Sequence, residues 1–120
     1  MLREMCKTKI HRLTVTQTDI NYQGSLTLDK KLMVAADILQ SEKVHVLNLS
    51  NGERAATYAI PAAPGSGKVC LNGAVARLGQ PGDKIIVLTY AILSEEEVRK
   101  HRMKVVFVNE KNHVARVTEK

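Results

Sequence analysis

A chain of 120 residues with a formal charge of +6 at pH 7 is long enough for one core and needs no second domain, and its 44% hydrophobic and 25% charged content excludes wholesale disorder. Aromatic residues supply only 3%, with no Trp, so the core is expected to be aliphatic, and the stacking platforms of a single-strand nucleic-acid binder are nearly lacking. Positive charge is scattered, at Lys30, Lys31, Arg99, Arg102 and Lys120 among others, which favours a small anionic ligand over a polynucleotide.

Rough alternation of β-branched and aliphatic residues in TKIHRLTVT predicts a strand over 8–16. The period changes in DKKLMVAADIL: Leu32, Ala35, Ala36 and Leu39 follow the i, i+3, i+4, i+7 spacing of a helix over 29–39, with Asp29 as its N-cap. Alternation returns in KVHVLNL at 43–49, Asn51-Gly52 signals a hairpin, and ERAATYAI is the partner strand. A loop at PAAPGSG precedes a short strand, KVCL, and NGAVARLG reads as a turn into one helical turn closed by Gly79. After the Pro81-Gly82-Asp83 turn, KIIVLTYAIL at 84–93 is the longest apolar run and reads as a strand deep in the core. Ser94 with Glu97 predicts a capping box for a short helix, and KVVFV and HVARV close the chain as strands around a turn centred on Asn112. Many short strands with a few short helices point to a mainly β fold, a small barrel with helical crossovers.

Cys6 and Cys70 stand alone, without C-x-x-C spacing or the density of a secreted disulfide scaffold, so a cytoplasmic protein is expected. The start, MLREMCKTK, has the wrong charge pattern for a signal peptide. No apolar stretch approaches the ~18 residues of a membrane span, so no membrane partner is expected. PAAPGSGKV resembles part of a phosphate-binding P-loop but has Ala62 and Val69 where Gly and Ser or Thr are required. Neither serine beside a glycine lies in a G-x-S-x-G elbow, and His11, His45, His101 and His113 lack metal-ligand spacing.

The pair Gly24-Ser25, within NYQGSLTL, remains. Gly-Ser is an ordinary turn dipeptide, and Gly65-Ser66 provides an internal control. A serine hydroxyl can attack the carbonyl of the residue before it, turning an amide into an ester, when the backbone is strained and the oxyanion stabilised. Glycine before the serine offers no Cβ to block the approach and tolerates unusual backbone angles. Loss of the serine α-proton then expels the ester, and hydrolysis of the resulting dehydroalanine leaves a pyruvoyl group and ammonia.

Three blocks, KIHRLTVTQTDINYQGSLTLD at 9–29, NGERAATYAI at 51–60 and NGAVARLGQPGD at 72–83, together resemble the aspartate 1-decarboxylase family, in that family's order and spacing. The resemblance covers nearly the whole chain apart from its last fifteen or so residues. It implies a six-stranded double-psi β-barrel and a homotetramer with active sites between subunits. It also implies cleavage into a β chain, 1–24, and an α chain, 25–120, that begins with a pyruvoyl cofactor made from Ser25. The substrate implied is L-aspartate, converted to β-alanine and CO2 for pantothenate and coenzyme A.

Residue roles follow from the same resemblance. The Ser25-derived ketone forms a Schiff base with the substrate amine and acts as an electron sink. Arg54 clamps a substrate carboxylate and Lys9 adds a second positive charge. Tyr58 reprotonates the intermediate, since a phenol stays protonated at neutral pH, and Thr57 hydrogen-bonds the Gly24 carbonyl oxygen. Asn72, Gly73 and Ala74 bind substrate or precursor, and His11 and Tyr22 shape the pocket. Val75 departs from the alanine of the family pattern. Adjacent strand residues point to opposite faces, so Thr57 and Tyr58 share a site only where a twist, a bulge or a subunit boundary brings them together.

Whether maturation is spontaneous or assisted by an activator protein depends on how well the loop is strained, which the sequence leaves open. Two other readings keep the Gly24-Ser25 bond intact. One is a non-enzymatic basic barrel binding nucleic acid or a partner protein, with steep salt dependence. The other is an enzyme using Ser25 as an ordinary nucleophile, for which no general base has motif support.

Overall fold

The computed structural model describes all 120 residues. Nine strands form one mixed sheet, in the order β2-β6-β3-β5-β4-β7-β1-β8-β9. In chain order they are β1 Leu2–Thr14, β2 Gln17–Asp19, β3 Ser25–Asp29, β4 Lys43–Asn48, β5 Arg54–Ala62, β6 Val69–Asn72, β7 Lys84–Ser94, β8 Lys104–Val108 and β9 Val114–Glu119. Two short helices, α1 Lys30–Ala35 and α2 Glu95–Lys100, and a 3-10 turn, Gly73–Leu78, complete the fold. The mainly β expectation holds, but the strands number nine rather than six. The three-residue β2 extends one end of the sheet and the β8–β9 hairpin the other, around a middle of six. No helix is long and apolar enough to cross a membrane.

The core is wholly aliphatic, as the scarcity of aromatics requires. Ile10, Leu13, Leu26, Leu28, Val44, Val46, Ala59, Val69, Leu71, Ile85 and Val87 share one buried cluster. These positions alternate along their strands, except where a bulge in β1 between Ile10 and Leu13 resets the alternation, so both residues face the core. β7 departs from the expectation of a deep core strand. Ile85, Val87 and Thr89 point inward, but Tyr90 is exposed and Ile92 is 67% exposed. The run is unbroken because both faces are apolar, and on the outer face cover is lost along the strand, from buried Ile86 to exposed Tyr90 and Ile92. β1 starts six residues before its expected start, because Leu2–Cys6 pairs with the outer half of β7 as a two-stranded ribbon.

Helix α1 begins as its sequence predicts: the Asp29 side chain accepts from Lys31 N at 2.8 Å. It ends early, because Asp37 adopts φ 54°, with Ile38 N donating to Met33 O and Asp37 N to Val34 O, the Schellman pattern. That turn buries Ile38 and exposes Leu39, which helical spacing had placed in the apolar stripe. The capping box at Ser94 and Glu97 forms as expected. Gly79 follows the 3-10 turn but is extended, φ −168°, so it is no left-handed cap. Its small size serves packing instead, since a Cβ there would come within 2.8 Å of Leu71 Cδ1.

Asp29 also holds the 63–67 loop: its carboxylate accepts from Gly65 N and Gly67 N, each at 2.9 Å. Burial alone would raise its pKa, but donation from Gly67, Lys31 and Gly65, with His113 nearby, outweighs burial and lowers it. Ionised Asp29 therefore stabilises the fold above the unfolded carboxylate pKa of about 4, and the contribution is lost as pH falls through the lower folded value. Asp29→Ala, which orphans three N–H donors, is expected to cost about 3 kcal/mol at neutral pH and to flatten the acid limb of stability against pH. Denaturant titrations across acidic pH check both, and an acid limb unchanged by the substitution would contradict the assignment.

Candidate active site

β3 lies between β6 and β5. In the antiparallel β3–β6 ladder Ser25 faces Asn72 and Thr27 faces Cys70, so four polar side chains share one face. Asn72 organises them. Its Nδ2 donates to Ser25 Oγ at 3.0 Å and to Thr27 Oγ1 at 2.8 Å, while its Oδ1 accepts from the Cys70 thiol at 3.1 Å. All four residues are buried, Ser25 completely at 0% exposure.

Ser25 has φ 145°, a conformation that L-residues avoid and that costs of order 1–3 kcal/mol when the surroundings impose it. The control pair behaves otherwise. Ser66 is exposed, its backbone φ is not positive, and its hydroxyl accepts only from Lys68 N within its own turn. Ser25 thus differs from Ser66 in burial, in backbone strain and in having a fixed hydrogen-bond partner from another strand.

The two glycines of the site answer to different constraints. A Cβ on Gly24 would meet nothing within 4 Å beyond its chain neighbours, so packing does not require glycine there. Gly73, at φ 63°, is required: a Cβ would come within 2.8 Å of Gly24 Cα and N and within 2.9 Å of Tyr22 O. The start of the 3-10 turn, with exposed Ala74 next in line, is thereby pressed against the backbone of Gly24, just before the Gly24-Ser25 bond. Tyr22, Thr27, Cys70 and Asn72 also line an open depression of 470 Å³, with Asp19 and Lys68 in its wall.

On the other side of β3, the parallel ladder to β5 pairs Leu26 with Ala59. Continued back by one and two residues, it sets Ser25 level with Tyr58 and Gly24 level with Thr57. Thr57 is half-buried and makes no hydrogen bond to Gly24, while Tyr58 is 40% exposed on the opposite, outer face. Arg54 lies on that outer face too, four residues earlier. The pairs Lys9–Leu88, Leu88–His45 and His45–Ala56 run across the same face.

Lys9 and Ser25 are separated by three intervening strands, about 19 Å along a sheet with 4.8 Å strand spacing, so the ladder does not bring Lys9 to the serine of its own chain. His11 packs edge-on against Phe107 at 5.8 Å. Its buried Nδ1 has no partner, and burial first, then Lys9 and Arg12, hold its pKa below the usual histidine value. The structure therefore gathers Gly24, Ser25, Asn72, Gly73 and Tyr22, places Thr57 and Tyr58 alongside, and leaves Lys9, His11 and Arg54 spread over the outer face. Thr27 and Cys70 were not among the sequence-derived candidates; their signal is the i±2 spacing from Ser25 and Asn72 on strands.

A model of the family described as aspartate decarboxylase matches residues 1–115. The chain belongs to the aspartate decarboxylase family. It is 52% identical over 118 residues to the aspartate 1-decarboxylase of Clostridium beijerinckii, covering 98% of this chain and 95% of that protein. It is 56% identical over 112 residues to the aspartate 1-decarboxylase of Thermoanaerobacter pseudethanolicus, covering 93% and 96%. The aspartate 1-decarboxylase of Caldicellulosiruptor saccharolyticus matches all 120 residues at 52% identity, over 94% of its own length. Family membership thus extends past the three sequence blocks to nearly the full fold.

Proposed function

We propose that the chain cuts itself between Gly24 and Ser25, into 1–24 and 25–120, and then decarboxylates L-aspartate to β-alanine and CO2 for pantothenate and coenzyme A synthesis. The observation that carries this reading is the buried Ser25 at φ 145°, with Oγ held by Asn72. Strain stored beside a scissile bond is relieved when the bond breaks, which lowers the barrier to breaking it. Ser25 Oγ bonds to the Gly24 carbonyl carbon, the Gly24–Ser25 C–N bond breaks, and the hydroxyl proton ends on the freed amine. Removal of the Ser25 α-proton then expels the Gly24 carboxylate from Cβ, and water releases ammonia from the enamine so formed, leaving a pyruvoyl group.

The residues present suit that group: Gly24 admits the hydroxyl, Gly73 closes the back of the site, and Asn72 fixes the position of Oγ. Once formed, the group supplies a ketone that captures the substrate amine and takes up the electron pair left by the departing carboxylate. Tyr58, level with Ser25, returns a proton to the substrate carbon. Thr57 supports the Gly24 carbonyl oxygen during cleavage. Arg54 and Lys9 hold the two substrate carboxylates; Asn72, Gly73 and Ala74 present polar groups, and Tyr22 and His11 bound the pocket.

A second copy completes this arrangement. The outer face carries Lys9, Arg54 and Tyr58 together with exposed Tyr90 and Ile92, and apolar surface of that kind marks an interaction face. Packing that face against a neighbour in a homotetramer covers the apolar residues and brings the basic ones to the neighbour's Ser25. Two free cysteines, Cys6 and Cys70, suit a reducing cytoplasm.

Incubating the processed protein with L-aspartate and following β-alanine tests the activity directly, and no product would overturn it. Arg54→Ala is expected to raise KM about 10- to 100-fold, the loss of one charge-assisted contact, with the fold unchanged. An unaltered KM would remove Arg54 from the clamp.

A further inference from the structure

We infer that Cys70 is a positioning residue for self-cleavage, its thiol setting which end of the Asn72 amide faces Ser25. The inference rests on the self-processing reading above and goes beyond it. An asparagine amide has a donating and an accepting end, and the two fit different partners. Here both Nδ2 hydrogens are used, on Ser25 Oγ and Thr27 Oγ1. The amide is anchored from behind by the Cys70 S–H donating to Oδ1 at 3.1 Å.

Cys70 sits two residues before Asn72 on β6 and opposite Thr27 on β3, so its side chain reaches the amide oxygen along the same face. It is 2% exposed. Burial pushes the thiol pKa up, Lys68 works against this and Asp19 with it, so the group stays protonated as a donor.

The direction of the amide matters to the chemistry. As Ser25 Oγ forms its bond to the Gly24 carbonyl carbon, its proton moves toward the Ser25 nitrogen and negative charge builds on the carbonyl oxygen. An N–H donor on one lone pair of Oγ leaves the O–H free to give its proton to the Ser25 nitrogen and the other lone pair free to meet the carbon, whereas an amide oxygen in the same place takes the O–H as its own donor and holds the proton back. A donor at position 70 favours the productive orientation by satisfying Oδ1 on the far side. An apolar side chain there leaves Oδ1 buried without a partner and removes the bias.

The test follows cleavage of freshly synthesised full-length chain by denaturing mass spectrometry at constant temperature. Cys70→Val, which removes the donor and keeps a strand-compatible side chain, is expected to cleave about fivefold to tenfold more slowly, the scale of one modest hydrogen bond. Cys70→Ser, which restores an O–H donor, is expected to recover most of the rate, a rescue that a purely space-filling role does not give. Cys70→Ala removes the same donor without adding bulk and is expected to cleave about fivefold to tenfold more slowly as well, and it carries the comparison if thermal midpoints show that valine disturbs the fold. Equal rates for the donor-free variants and the unaltered chain overturn the inference, as does a serine variant as slow as the alanine one. An unaltered chain that never cleaves overturns the self-processing reading itself, so the unaltered time course separates the two failures.

Discussion

Ser25→Ala is expected to yield one uncut chain with no decarboxylase activity and a thermal midpoint close to that of the precursor. The side chain lost is small, and Asn72 keeps its bond to Thr27 and its contact with Cys70, so the stability change is held to about 1 kcal/mol. Chemistry, in contrast, loses everything. Without Oγ there is no ester, no elimination and no ketone, and no other group on this face replaces a nucleophile covalently attached next to the scissile bond. Gel mobility of the purified variant and an assay for β-alanine check both halves. A cut and active Ser25→Ala protein would place the chemistry at another residue.

Tyr58→Phe separates the two reactions. The phenol is 40% exposed on the outer face of β5, level with Ser25 but not bonded to it, so its removal is expected to leave self-cleavage intact. Decarboxylation is expected to fall about 10²- to 10⁴-fold in kcat, the usual worth of a positioned proton donor. KM should move little, because phenylalanine preserves the ring and the proposed carboxylate contacts are those of Arg54 and Lys9. Single-turnover kinetics on the processed variant measure the effect, and an unchanged kcat would assign the proton to another group.

Local pattern made much of this molecule readable. Alternation located β4 and β5, the capping box located α2, and Asp29 announced the first helix. What escaped depended on partners far away in sequence. Leu2–Lys7 carries charges that mask its strand character, and it pairs only because the outer half of β7 is available to it. The turn that ends α1 puts an aspartate, not a glycine, into the left-handed region, so composition gave no warning of it. Asn112 reads as a turn residue, yet its side chain is buried and ties Thr14 and Gly67 together, a role set by tertiary contact alone.

The site shows the same division. Gly24-Ser25 and Asn72-Gly73 were legible through the family resemblance, while the close approach that makes glycine necessary at 73 shows only in the structure. The φ of Ser25 was not legible, because no local propensity places a serine at 145°; its neighbours on β5 and β6 enforce it. Nor was the separation of Lys9 from Ser25, which follows from strand order in the sheet. Adjacent Thr57 and Tyr58 divide between two faces, Tyr58 outward and Thr57 toward the interior.

Denaturing mass spectrometry of the purified protein decides whether the Gly24-Ser25 bond is cut and Ser25 converted. Two fragments are expected, one ending at Gly24 and one beginning at position 25, the second lighter than a serine-initiated chain by the mass of one ammonia. A single intact chain that persists through prolonged warm incubation would contradict self-processing at Gly24-Ser25, and with it the pyruvoyl chemistry built on Ser25.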